Sequence, residues 1–144
     1  MRKKILIVED DTDLLEILRL SFKGAGYSIA TATNGIEALK KARSLRPDLV
    51  VLDLVLPELD GFAVCEILRK DRATATLPII MLTGLSSEFT RFAGLESGAT
   101  DYVTKPVTPS ELVSKIDYWL SRAAAPVHCQ RGVKDKPPRT ASRC

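Results

Sequence analysis

Four short apolar runs are each followed by groups that can hold or transfer charge. Lys4–Val8 is followed by Glu9, Asp10 and Asp11, Leu49–Leu52 by Asp53, Ile79–Leu82 by Thr83, and Tyr102–Val103, one residue further on, by Lys105. Taken singly, each has an ordinary explanation: the first acids cap a helix, Asp53 sits in a turn, Thr83 caps a helix, and Lys105 is surface charge. Taken together they need another account, because carboxylates that converge without a partner repel one another and raise each other's pKa. Such a cluster calls for a cation. An all-oxygen donor set favours a hard ion, Mg²⁺, held by one or two carboxylates with water sites left for a phosphate oxygen. A lysine and a hydroxyl beside it complete an anion site.

Bringing these residues together falls to the elements between them. Lys4–Val8, Ser28–Ala32, Leu49–Leu52, Ile79–Leu82 and Tyr102–Val103 read as strands, the third and fourth buried on both faces. Between and after them, Leu14/Leu18/Phe22, Ile36/Leu39, Val64/Ile67/Leu68, Phe89/Phe92/Ala93 and Leu112/Ile116/Trp119/Leu120 fall at helical spacing. Asn34 with Glu37, and Thr108 with Glu111, have capping-box spacing, Pro109 suits a first helical position, and Gly24, Gly26 and Gly98 suit left-handed positions after helices. Arg46-Pro47-Asp48 ends the second helix. Strands joined by helices must run parallel with right-handed crossovers, which gives an α/β three-layer sandwich. The (βα)5 count fits a flavodoxin-like parallel sheet of order 2-1-3-4-5. In that order strands one and three are neighbours where the strand order reverses, so Glu9 and Asp10 meet Asp53 there.

With 144 residues, 45% hydrophobic and 27% charged, the chain can bury a core of one domain plus a short appendage. No apolar run approaches the roughly 18–20 residues of a membrane span, since Asp53 interrupts the longest, Leu49–Leu56. Met1-Arg2-Lys3-Lys4 imitates a signal peptide, but only Ile5–Val8 follows before acids intervene, so the protein reads as cytoplasmic. Cys65, Cys129 and Cys144 fit neither a disulfide framework nor a zinc site; Cys65 reads as helix packing, and His128-Cys129 lacks further ligands. Residues 1–122 carry 16 basic and 17 acidic side chains, while residues 123–144 carry five basic and one acidic. The expected organisation is a domain over 1–122 and a basic, disordered tail or linker over 123–144.

Glu9-Asp10, Asp53 within VVLDLVLPELDG, Thr83-Gly84, and Lys105-Pro106 within DYVTKP resemble the receiver domain of bacterial two-component response regulators over about residues 3–121. The resemblance implies that Asp53 is the phosphoacceptor. It also implies that Asp10 and Asp53 are Mg²⁺ carboxylates, that Glu9 acts through water, and that the Val55 backbone carbonyl is a further ligand. Lys105 would pair with the phosphoryl group, Thr83 would hydrogen-bond it, Tyr102 would be the switch aromatic, and Lys105-Pro106 a cis peptide. The donor would be a histidine kinase or phosphotransfer protein; the sole histidine here, His128, lies in the tail. The protein would then be a signalling switch and not an enzyme in its own right, catalysing only its own phosphotransfer and slow dephosphorylation, with output through changed protein contacts.

Other classes fit less well. An aspartyl-phosphate phosphatase wants a second carboxylate two residues after the nucleophile, where this chain has Val55, and a flavin-binding relative needs a Ser/Thr/Gly phosphate loop where this chain has acids. Nucleic-acid binding rests only on Arg131, Lys134, Lys136, Arg139 and Arg143, without an aromatic stacking partner, so neither nucleic acid nor membrane is expected as a partner of this chain alone. Arg91 with Glu111, and Asp101 with Lys115, match positions that pair between subunits in receivers that dimerise through the fourth helix, fifth strand and fifth helix. By the same resemblance Val55 and Leu85 flank the path of a hydrolytic water, and both are apolar, which implies slow loss of phosphate.

Overall fold

The computed structural model describes residues 2–84, 92–93 and 95–123. Its strands are β1 (Lys4–Val8), β2 (Ser28–Ala32), β3 (Leu49–Asp53), β4 (Ile79–Thr83) and β5 (Asp101–Thr104). They pair in parallel in the order β2-β1-β3-β4-β5, the expected topology. The helices are α1 (Thr12–Gly24), α2 (Gly35–Leu45), α3 (Gly61–Lys70) and α4 (Pro109–Ala123), the last being the fifth helix expected from the sequence. Phe92, Ala93, Leu95 and Glu96, between β4 and β5, are also helical, whereas Phe89 lies outside the described residues.

Alternation along the strands divides the core in two. Leu6, Val8, Val50, Leu52, Ile79 and Met81 face α2 and α3, packing on Ala38, Ala42, Val64, Cys65 and Leu68. Ile5, Ile7, Val51, Ile80, Leu82 and Val103 face α1 and α4, packing on Leu15, Leu18, Phe22, Leu112, Ile116 and Leu120. Each large side chain so buried contributes roughly 1.5–3 kcal/mol, enough to fix which helix lies on which face.

Three local expectations are corrected. Gly24 closes α1 as a helical residue, while Gly26 (φ 102°) and Gly98 (φ 108°) take left-handed conformations; at the end of α2 that conformation falls to Arg46 (φ 50°). On α2 the buried face is Gly35, Ala38 and Ala42, which leaves Ile36 43% exposed on another side; at Gly35 itself a Cβ would collide with the Leu59 carbonyl oxygen. Strands β3, β4 and β5 run on to Asp53, Thr83 and Thr104, past the ends of their apolar runs. The backbone keeps pairing there, Asp53 opposite Leu82 and Thr83 opposite Thr104, so the polar residues are strand ends.

The helix starts are built as their sequences imply. The Asn34 side chain accepts from Glu37 N at 2.8 Å while Glu37 Oε1 accepts from Thr33 N at 2.9 Å. Thr108 and Glu111 form the reciprocal box, with Thr108 Oγ1 accepting from Glu111 N at 3.1 Å and Glu111 Oε1 accepting from Thr108 N at 2.9 Å.

Candidate functional site

Register alone brings the acids together. Val8 pairs with Leu52, so the next residues, Glu9 just past β1 and Asp53 at the end of β3, lie side by side at the edge of the sheet. Glu9 is 2% exposed and Asp53 5%, whereas Asp10 is exposed. Carboxylate oxygens of these three lie within 4.8 Å of one another. Asp11, the third acid of the run, serves as the cap of α1, its Oδ1 accepting from Asp13 N at 3.1 Å and Leu14 N at 3.3 Å. The capping role therefore belongs to one acid of the three.

Lys105 reaches the cluster from β5. Its backbone N donates to the Thr83 carbonyl at 2.7 Å, the Lys105-Pro106 peptide is cis as expected, and Nζ lies 3.2 Å from Glu9 Oε1 and 3.6 Å from Asp53 Oδ2. Glu9, Asp10, Asp11, Asp53, Val55, Thr83, Gly84 and Lys105 line an open cleft of about 320 Å³. Thr83 is fully buried at its wall, and Val55 is 61% exposed at its mouth.

The electrostatics show a surplus of negative charge. Burial, reinforced by the Asp53 carboxylate, pushes Glu9 up to about 7, even though Glu9 Oε2 accepts from Asp11 N and Lys105 lies beside it. For Lys105, burial disfavours the charged form, but the Asp53 and Glu9 carboxylates outweigh it and raise its pKa. Three carboxylates thus face one ammonium. A compact, all-oxygen, under-neutralised donor set of this kind fits a hard divalent ion.

The remaining expectations divide. Tyr102 does not line the cleft; it is 3% exposed and packs in the core on the α2 and α3 side, with Cys65, Leu68 and Met81 among the same cluster. Cys65 is buried, and that burial raises its thiol pKa, in keeping with a packing role. Asp101 and Lys115 pair within the chain at 3.1 Å, Asp101 Oδ2 also accepts from Trp119 Nε1 at 2.9 Å, and Glu111 is engaged in the α4 cap. Leu85, Arg91 and residues 124–144, with His128, Cys129 and the basic tail, lie outside the described residues. Among the described residues no helix is long and apolar enough to cross a membrane.

One residue that supports the site was not singled out from the sequence. Gly61 N donates to the Leu54 carbonyl at 2.8 Å, and a Cβ at Gly61 would stand 2.6 Å from the Asp53 carbonyl oxygen and 2.7 Å from Leu54 Cα. Glycine lets the start of α3 press against the backbone that carries Asp53. The available signal was Asp60-Gly61, a cap residue before a glycine at a helix start; Asp60 Oδ1 accepts from Ala63 N at 2.9 Å.

The chain matches the family model for the response regulator receiver domain over residues 5–117. It is 45% identical over 128 residues to the alkaline phosphatase synthesis transcriptional regulatory protein PhoP of Bacillus subtilis, covering 88% of this chain and 52% of that protein. It is likewise 45% identical over 122 residues to the DNA-binding response regulator MtrA of Mycobacterium tuberculosis, covering 85% and 52%. The chain therefore spans about half the length of these curated relatives. Among solved structures it is similar to the receiver domain of a sensor histidine kinase from Pseudomonas aeruginosa, with a magnesium ion coordinated in the active-site cleft. That likeness has a TM-score of 0.78 at 29% identity and covers 84% of this chain and 99% of the other.

Proposed function

Because the chain belongs to the response regulator receiver-domain family, a family of phosphorylation-dependent switches, we propose that Asp53 accepts a phosphoryl group from a partner histidine kinase or phosphotransfer protein. The observation that carries this reading is the position of Lys105 Nζ, 3.2 Å from Glu9 and 3.6 Å from Asp53, at the edge of a cleft lined by acids. An Asp53 oxygen attacks phosphorus, the bond from phosphorus to the donor breaks, and the leaving group departs with its electron pair. Lys105 offsets charge on the phosphoryl oxygens, and Thr83, buried in the cleft wall, supplies a hydroxyl to them.

Glu9, Asp10, Asp53 and the Val55 carbonyl are the residues that would hold Mg²⁺, as their surplus charge and oxygen donors favour. When bound, the ion supplies positive charge that neutralises the transferring group. Phosphate on Asp53 adds charge and acceptor oxygens that draw Thr83 toward them, which favours the core-seated position of Tyr102, 3% exposed here. The family's partner kinases make the cytoplasm the natural location.

The names of PhoP and MtrA favour a second reading of the output: these are a transcriptional regulator and a DNA-binding regulator, so the switch here would act on DNA in the protein that carries it. In that reading a nucleic-acid partner replaces the expectation that there is none.

The test is labelling with a small phosphodonor and Mg²⁺. One site labile to alkali and to hydroxylamine, as an acyl phosphate is, is expected, absent in Asp53→Asn; undiminished labelling of that variant would overturn the assignment.

A further inference from the structure

Arg69, on α3, is remote from the acidic cleft, yet its guanidinium holds the opposite ends of the strands that form it. Nε donates to the Gly98 carbonyl at 2.7 Å and Nη1 to the Leu77 carbonyl at 2.6 Å, with longer bonds of 3.3 Å to Thr74 and Ala75. Nη2 donates to Thr100 Oγ1 at 3.2 Å, and that oxygen accepts from Ile79 N at 3.0 Å. One planar fork therefore ties the entry to β4 (Leu77, Ile79) to the entry to β5 (Gly98, Thr100). Fit is tight, since a Cβ on Gly98 would stand 2.6 Å from Arg69 Cγ. No carboxylate bonds this guanidinium among the described residues, and its role is bonding to backbone and to one hydroxyl.

Two further contacts connect this clamp with the site. The same helix begins at Gly61, pressed against the Asp53 backbone. Its middle, Cys65 and Leu68, belongs to the core cluster that receives Tyr102, two residues beyond Thr100. Helix α3 is thus a rigid strut with the phosphoacceptor at one end and the start of β5 at the other.

We propose that Arg69 is a positioning residue of the switch: by fixing Gly98 and Thr100 it sets the start of β5 so that Tyr102 seats in the core beside α3, the arrangement a phosphoryl group on Asp53 favours. Losing the clamp lowers the population with Tyr102 seated, so a ligand that favours this state binds more weakly in proportion. This inference rests on the phosphoacceptor reading above.

Trp119, the sole tryptophan, donates to Asp101 at the first position of β5 and serves as a fluorescent reporter of that strand. Beryllofluoride, which stands in for the phosphoryl group, is titrated at saturating Mg²⁺ into the wild type, Asp53→Asn, Arg69→Gln, Arg69→Lys, Thr100→Val and the destabilised control Leu18→Val. Mg²⁺ affinity is measured in the same proteins from amide shifts. A response in the wild type that is absent in Asp53→Asn supports the phosphoacceptor reading, and no response in the wild type would overturn that reading independently of Arg69. For the Arg69 variants and Thr100→Val, beryllofluoride affinity should fall by about 2- to 30-fold with Mg²⁺ affinity unchanged. Arg69→Lys should not rescue it, because an ammonium lacks the fork. Leu18→Val, in the other core layer, should respond as the wild type does. Should Arg69→Gln fail to fold, Thr100→Val decides. Wild-type affinity in Thr100→Val and in whichever Arg69 variants fold, or an equal loss in Leu18→Val, would overturn the proposal.

Discussion

Asp10 and Val55 line the same cleft and differ in what they offer it. Asp10 is the exposed carboxylate of the acidic cluster, and on the proposed reading it is one of the Mg²⁺ carboxylates. Asp10→Ala should weaken Mg²⁺ binding by roughly 10- to 100-fold or more and slow phosphorylation in step, as read by amide shifts and by labelling. Normal labelling of that variant would remove Asp10 from the site. Val55, 61% exposed at the cleft mouth, has no side-chain group with which to orient a water. The double variant Val55→Asn, Leu85→Glu should lose phosphate faster, by roughly tenfold if the barrier falls about 1.4 kcal/mol. Equal decay rates would show that access is governed elsewhere.

At the level of elements, the topology was legible because apolar runs and helical spacings alternate cleanly, and the capping residues Asn34 and Thr108 sit where helices begin. The acids, the hydroxyl and the lysine were legible as a group because each follows a strand of a parallel sheet. What the sequence hid depends on close approach between segments far apart in the chain. Gly35 against Leu59, Gly61 against Asp53, and Arg69 against Gly98 and Thr100 are steric or bonding partnerships with no periodic signal. Asp53 and Thr83 were read as following their strands for a related reason: an apolar pattern stops at the first polar side chain, while backbone pairing does not. Gly61→Ala tests the most consequential of these contacts. Its added methyl must displace the Asp53 or Leu54 backbone, so a loss of about 1–3 kcal/mol in chemical denaturation is expected, together with slower labelling of Asp53. Unchanged stability and labelling would mean that the α3 start shifts freely.

For the molecule as a whole, self-association through Asp101 and Lys115 would have to exchange bonds already made within the chain, to Lys115 Nζ and Trp119 Nε1. Exposed ion pairs contribute only about 0–1 kcal/mol, so Lys115→Ala should change any dimerisation constant by less than about fivefold in sedimentation. A larger loss would establish a direct pair between subunits. The ion pair between Lys105 and Glu9, which are 96 positions apart, has a different kind of consequence, for synthesis. A growing chain displays its acids long before its lysine: at about 5–20 residues per second, the roughly 50 residues from Asp53 to Lys105 take roughly 3–10 s to add. Throughout that interval the nascent polypeptide carries Asp53 without its cationic partner. The order of synthesis therefore imposes a delay, and a translation product ending before β5 would lack Lys105 and, on the phosphoacceptor reading, should label more slowly than the finished chain.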